Sequence, residues 1–277
     1  MNSNNSISIK TDAQSAKRPT LAPAGWAPRF PKRRPFEVVP FAELTDQVNA
    51  HLITAVLPAE GLAVLYGDII PDVRHAVIDI AVGLNAPVVK NWHGHWRSLS
   101  RVVIVTGYHI PTLQQDITVH AMREGINPGD LTIGIVGDAP NFLHGEHTAL
   151  AEEIEAIGGA DLIVIFDVSH VMGDCTSSNA DNVLGVAEAA YELQQITGAL
   201  VLLVHGINAP KARWKSRDRQ FDGNKITLLE VGRFDRETLE PRGFTCDSAD
   251  PIGLHVRQLV APWPPTDVDE PHTVLLT

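Results

Sequence analysis

The sequence predicts an α/β domain with a mostly parallel central sheet, helices on both faces, and a small antiparallel extension near the C-terminus. Three observations predict it. Short, near-continuous apolar runs recur at 62–66, 102–106, 131–136, 162–166 and 200–204. Segments with helical periodicity lie between most of them, at 74–84, 112–124, 147–157 and 179–196. Beyond residue 224 the pattern changes to strand-like runs at 225–231, 238–244 and 254–260 joined by short turns. Strands apolar on both sides, alternating with helices, are what a sheet buried on both faces requires.

Taken in order, residues 1–36 form a basic arm rich in Pro, Ser and Asn, a composition that does not support a packed core. Residues 36–57 have mixed helical character, and Leu57-Pro58-Ala59-Glu60-Gly61 reads as a turn into the first strand. In the last helical segment Val183, Val186, Ala190 and Leu193 step by three and four, which gives one buried face. Ser178 or Asn179 caps its start and Gly198 follows its end. Residues 262–271 are proline-rich and acidic and end the ordered domain. The expected organisation is an arm over 1–36, one α/β domain over 37–261, and a tail over 262–277.

Composition narrows the class. Of 277 residues, 44% are hydrophobic, yet no apolar run approaches the roughly 18 residues that span a bilayer. The N-terminal MNSNNSISIKTDAQ has no hydrophobic core of a secretory signal, and two cysteines, Cys175 and Cys246, fit a reducing compartment. A cytoplasmic protein without membrane contact is the expectation. Charge is uneven: the arm holds seven basic residues against Asp12, leaving fifteen basic and thirty-two acidic residues in the body. Such a body repels nucleic acid broadly, so any phosphate contact is confined to local basic elements. The arm is one of these, unless it is a solvated tail or folds against its own acidic body.

Ligands of open parallel sheets sit at the carboxyl ends of the strands. Those ends carry Gly67, Tyr108 with His109, Asp167 and His205. Gly67 opens a strand-to-helix junction, GDIIPDVRH, where a phosphate loop needs G-x-x-x-x-G-K-[ST]. Here the second glycine falls on Asp72, the lysine on Val73 and the hydroxyl on Arg74. Pro71 removes a donor N–H, and Arg74 lies one residue late, about 100° around a helix. Asp167 closes LIVIFD, a pattern shared by magnesium-linked aspartates and by ordinary buried strands.

The strings LPAEGLAVLYG, WHG before the second strand, RVVIVTGYH, DLIVIFD and TGALVLLVHG together resemble the RecA-like ATPases related to RepA-type plasmid replicative helicases, over about 36–260. The resemblance implies a RecA-like three-layer fold. It also implies a magnesium-linked carboxylate at Asp167 and a sensor at His205, with Gly67 opening the phosphate loop. Where the family carries a catalytic glutamate this chain carries Tyr108, and the lysine position holds Val73. The expectation is therefore a vestigial nucleotide site made of Gly67, Asp72, Val73, Arg74, Tyr108, Asp167 and His205, with no catalytic residue and no cofactor. ATP with magnesium enters only if Arg74 replaces the missing lysine.

A second basic element, KARWKSRDR, places Lys211, Arg213, Lys215, Arg217 and Arg219 around Trp214. Alternating cations track a phosphate backbone, and an indole stacks on an unpaired base. The resemblance places this segment where RecA-like rings line their channel. The expected partners are single-stranded nucleic acid or a replication or mobile-element protein. A homo-oligomer, hexameric by resemblance, is expected as well. A subunit contact through the same arginines, a plain solvated loop and a pure protein-interaction scaffold are the alternatives. The pairs His93/His95 and His144/His147 are accompanied by no carboxylate or cysteine cluster at ligand spacing, so no metal is assigned. Ser169-His170 lacks a nucleophile-elbow turn and is not assigned catalysis.

Overall fold

The computed structural model describes residues 51–67, 69–87, 91–93, 95–175, 180–206, 226–233, 252–259 and 272–276. The arm, the basic 211–219 segment, the 238–244 run, Cys246 and the caps at 178–179 lie outside the described residues. Their expectations therefore rest on sequence alone.

The chain opens with a small hairpin, β1 (His51–Ile53) and β2 (Leu57–Pro58), where mixed helical character was expected. Ala55 turns it at a φ of 62°. Leu52, Ile53, Val56 and Leu57 are all buried, so tertiary burial, not local periodicity, decides this segment.

β3 (Gly61–Gly67) leads into α1 (Ile70–Asn85). A second hairpin follows, β4 (Asn91–Trp92) and β5 (His95–Trp96). Then come β6 (Val102–Thr106), α2 (Ile110–Arg123), β7 (Gly134–Val136) and α3 (His147–Ala156). The remainder is β8 (Leu162–Phe166), α4 (Ala180–Thr197), β9 (Leu200–Gly206), β10 (Ile226–Arg233), β11 (Ile252–Leu259) and β12 (His272–Leu276). β6 and β8 match their apolar runs residue for residue. β7 is shorter than its run, keeping only the last three residues.

Eight strands form one sheet in the order β12-β11-β10-β3-β9-β8-β6-β7. The six from β10 to β7 are parallel, and β11 and β12 add antiparallel at the edge. β10, expected in the antiparallel extension, instead pairs in parallel with β3 and antiparallel with β11. β12 lies within the segment expected to be tail, and its register with β11 runs from Ile252–Leu276 to Val256–His272.

Two apolar layers sandwich the sheet. Ala63, Leu65, Ile104, Val164 and Leu202 face one cluster with Val73, Val77, Ile80 and Leu113 of α1 and α2. Val64, Val103, Val105, Ile163, Ile165 and Leu203 face the other with Ile154 of α3 and Val186, Ala190 and Leu193 of α4. Alternate residues of the same strand therefore enter different cores, which is why the strands read as unbroken apolar runs.

The amino end of the sheet is closed by the two hairpins. Ser98 donates from its N–H to Leu52 O, and Arg97 donates to the terminal carbonyls Leu84 O and Ala86 O of α1. A guanidinium there complements the negative end of the helix. The carboxyl end of the sheet, where β3, β6, β8 and β9 all terminate, carries the candidate site.

Candidate functional site at the carboxyl end of the sheet

Only positions 68 and 69 separate Gly67, the last residue of β3, from Ile70, the first of α1. The helix begins four residues earlier than the periodicity indicated, with Ile69 extended at φ −117° and Pro71 in the first turn. Proline fits there because its missing N–H has no intrahelical role at that position. Asp72, Val73 and Arg74 are thus helical. Asp72 is buried in the first turn, and Val73 is 2% exposed and belongs to the core.

Val73 packs directly on the end of β3. A Cβ added at Gly67 would lie 2.8 Å from Val73 Cγ2 and 3.0 Å from both Cβ and O of Val231. The glycine is needed for close packing, with apolar atoms on both sides. The side chain at the lysine position therefore fills space beside the strand.

Arg74 is engaged with α2. Its guanidinium pairs with Asp116, and its Cζ lies 5.9 Å from the centre of the Tyr108 ring. Tyr108 is the hub of the cluster. Its ring sits edge-on to His170 at 4.7 Å and tilted against Phe166 at 5.2 Å, and its hydroxyl donates to Asp167 Oδ2 at 3.4 Å. Burial first, then the Asp167 charge and hydrogen bond, push the phenol above its ordinary value of 10, with Arg74 pulling the other way. The phenol stays protonated at neutral pH and acts as a donor, so it offers no base to orient water.

Asp167 adopts a φ of 75° with ψ 106°, a costly conformation for a residue with a side chain. Its Oδ1 accepts from Ser169 N at 2.9 Å and from Ser169 Oγ at 2.7 Å, which holds the turn into the 3-10 segment Val168–Val171. His170 closes over Gly107, whose N–H donates to His170 Nδ1 at 3.3 Å. A Cβ on Gly107 would come within 2.7 Å of that ring, so only glycine permits the stacking. His205 is buried at the end of β9, in register with Tyr66 of β3, and Tyr66 donates its hydroxyl to Glu230 at 3.2 Å.

The structure thus brings Arg74, Tyr108 and Asp167 into one network, and Gly67 and Val73 into another contact. Asp72 and His205 stand at the same end, each buried. Sequence reasoning missed Asp116, Phe166 and His170 as members. For His170 and Ser169 the signal was adjacency to Asp167, and for Asp116 there was none, because it acts across two helices.

A second cluster was also missed. Asp79 of α1, 4% exposed, accepts from His93 Nε2 at 2.8 Å and from His120 Nε2 at 3.1 Å. It ties the β4–β5 hairpin and α2 to α1. Burial works to raise the Asp79 carboxyl, but the hydrogen bonds and charges of His120 and His93 outweigh it and hold the group at about 2. His75, edge-on to His120 at 5.3 Å, is lowered by burial. His93, weighed in the sequence as half of a metal pair with His95, serves this carboxylate. Among the described residues no group of three or more His, Cys, Asp or Glu is placed to hold a metal ion, and no helix is long and apolar enough to cross a membrane.

Six parallel strands covered by helices on both faces, with an antiparallel C-terminal edge, make a three-layer α/β domain whose sheet is consistent with the RecA-like fold. No protein-family profile matches the chain, and no curated protein matches it by sequence. Among solved structures, a KaiC-like protein from the hyperthermophilic archaeon Pyrococcus horikoshii is similar, with a TM-score of 0.47 and 12% identity, over 82% of this chain and 94% of that one. The fold assignment rests on the sheet itself.

Proposed function

We propose that this chain is a non-hydrolysing RecA-like protein, a relative of RepA-type helicases whose nucleotide site is vestigial. It works by oligomerising and by binding single-stranded nucleic acid or docking a replication or mobile-element partner. The single observation that carries the reading is the junction after β3. α1 begins at Ile70 and Val73 packs on Gly67, so the segment that would wrap a triphosphate is helix and core. A phosphate loop works through converging backbone N–H groups, a lysine and a hydroxyl. Here the helix starts with an Ile-Pro pair, and the cation of its opening turns, Arg74, is paired with Asp116.

The nucleic-acid part of the proposal comes from the sequence of the basic 211–219 segment and the arm. The rival, an ATPase using Arg74 on phosphate and His205 as sensor, requires Arg74 to leave both Asp116 and the Tyr108 ring. A phosphate-release assay separates them: the proposal expects no turnover, and turnover that disappears in Asp167→Ala overturns it. Filter binding of single-stranded DNA over a salt series tests the remainder, because phosphate contacts weaken as salt rises. Absence of binding even at low salt moves the function to protein docking alone.

A further inference from the structure

The carboxyl end of the sheet is apolar where its helices begin. α1 and α2 both open on an Ile-Pro pair, Ile70-Pro71 and Ile110-Pro111, and neither start carries a side-chain cap. Ile69, Ile70 and Ile110 are 41, 42 and 40% exposed. The two helix starts are held side by side, since Arg74 of α1 pairs with Asp116 of α2 and lies over Tyr108, just before Ile110. Asp138, exposed, follows Gly137, on which Ile110 packs, the cation between the helices is paired with Asp116, and beyond residue 36 the chain carries fifteen basic against thirty-two acidic residues. Exposed isoleucines on a body with that excess of carboxylates complement a segment that is both basic and aromatic.

This chain carries such a segment. Residues 26–36, WAPRFPKRRPF, hold Arg29, Lys32, Arg33 and Arg34 interleaved with Trp26, Phe30 and Phe36 and contain no acid. The tether is long enough. β1 begins at His51 at the amino end of the sheet, so fourteen residues, 37–50, join Phe36 to the described body. Extended, they reach about 50 Å. The seven residues of β3 that separate the two ends of the sheet span only about 23 Å.

We propose that the N-terminal arm docks in cis on this face, residues 26–36 lying against the starts of α1 and α2, with its aromatics supplying apolar contact and its cations meeting the carboxylates. Tethering makes the local concentration of the arm about millimolar, so even a weak contact is populated. This inference stands apart from the nucleic-acid reading, since it needs no nucleic acid.

Limited trypsin digestion of the full chain tests it, read at the bonds after Lys32 and Arg33. Cleavage there tracks the undocked fraction when docking is fast relative to cutting. At low salt, the double variant Phe30→Ala/Phe36→Ala is expected to be cut about tenfold faster than the wild type, and 1 M salt is expected to speed the wild type because exposed charge pairs are screened. Ile69→Ser/Ile110→Ser, which removes the apolar contact without adding charge, is expected to give the same acceleration. The arm variant leaves the body's sequence intact, so the test survives if the body variant does not fold. Equal rates in wild type and arm variant overturn the proposal. Protection that grows with protein concentration also overturns it, because it assigns the face to the arm of a second copy.

Discussion

Replacing Asp79 with Asn changes one atom in the core and leaves the volume nearly unaltered, yet it removes the charge that the buried His120 and the partly buried His93 share. Asp79 is 4% exposed and receives Nε2 of His93 and of His120. In Asp79→Asn the amide keeps one acceptor and turns a donor toward the other histidine. A hydrogen bond to a charged group contributes about 1.5–3 kcal/mol. We expect a loss near the lower bound, because one hydrogen bond survives. The acid limb gives an independent reading. The carboxyl stands at about 2 in the folded chain against an ordinary 3.8. A depressed carboxylate contributes stability that is complete above its unfolded value and is lost as pH falls through the folded one. The difference of nearly two units corresponds to on the order of 2 kcal/mol, lost between about pH 4 and pH 2. Urea denaturation at closely spaced pH values measures both effects. The wild type is expected to lose that increment over the window, and Asp79→Asn to lose correspondingly less. A variant with wild-type stability at pH 7 and an unchanged acid slope refutes the reasoning.

Further outcomes follow from the carboxyl-end cluster. Gly67→Ala puts a Cβ within 2.8 Å of Val73 and 3.0 Å of the Val231 backbone oxygen, so overpacking of about 1–3 kcal/mol is expected in denaturant titrations, with only partial relief from Val73→Ala. Ultraviolet titration of the tyrosines is expected to show Tyr108 ionising above its ordinary value; Asp167→Asn should shift it only part of the way back, because burial is the larger cause. Asp116→Asn should cost less than about 1 kcal/mol by thermal unfolding, since both partners of the Arg74 pair are partly exposed and screened.

How legible the molecule was in its sequence differs by element. β6 and β8 were readable to the residue because VVIVT and LIVIF are buried on both faces and bounded by Arg101 and Gly107 and by Asp161 and Asp167. The start of α1 was not, because Ile-Ile-Pro before Asp72 reads as loop until proline is placed in the first turn. β1 and β2 are too short for any period to establish, and β12 sits next to a proline-rich stretch that overrides HTVLL as a signal. At the site, strand ends located Gly67, Asp167 and His205, and counting located Val73 and Arg74. What counting does not supply is direction. That Arg74 turns to Asp116, that Tyr108 donates to Asp167, and that Asp79 collects histidines 14 and 41 positions away are consequences of helix packing. No local spacing encodes them.

A junction from Gly67 to Arg74 that is closed to phosphate leaves ATP no place to bind, and isothermal titration of the full chain with ATP and magnesium reads this out. No saturable heat is expected up to millimolar nucleotide, in the wild type and in Asp116→Asn, where Arg74 is released from its partner. Saturable binding at micromolar nucleotide, weakened by Arg74→Leu or Asp167→Ala, contradicts it.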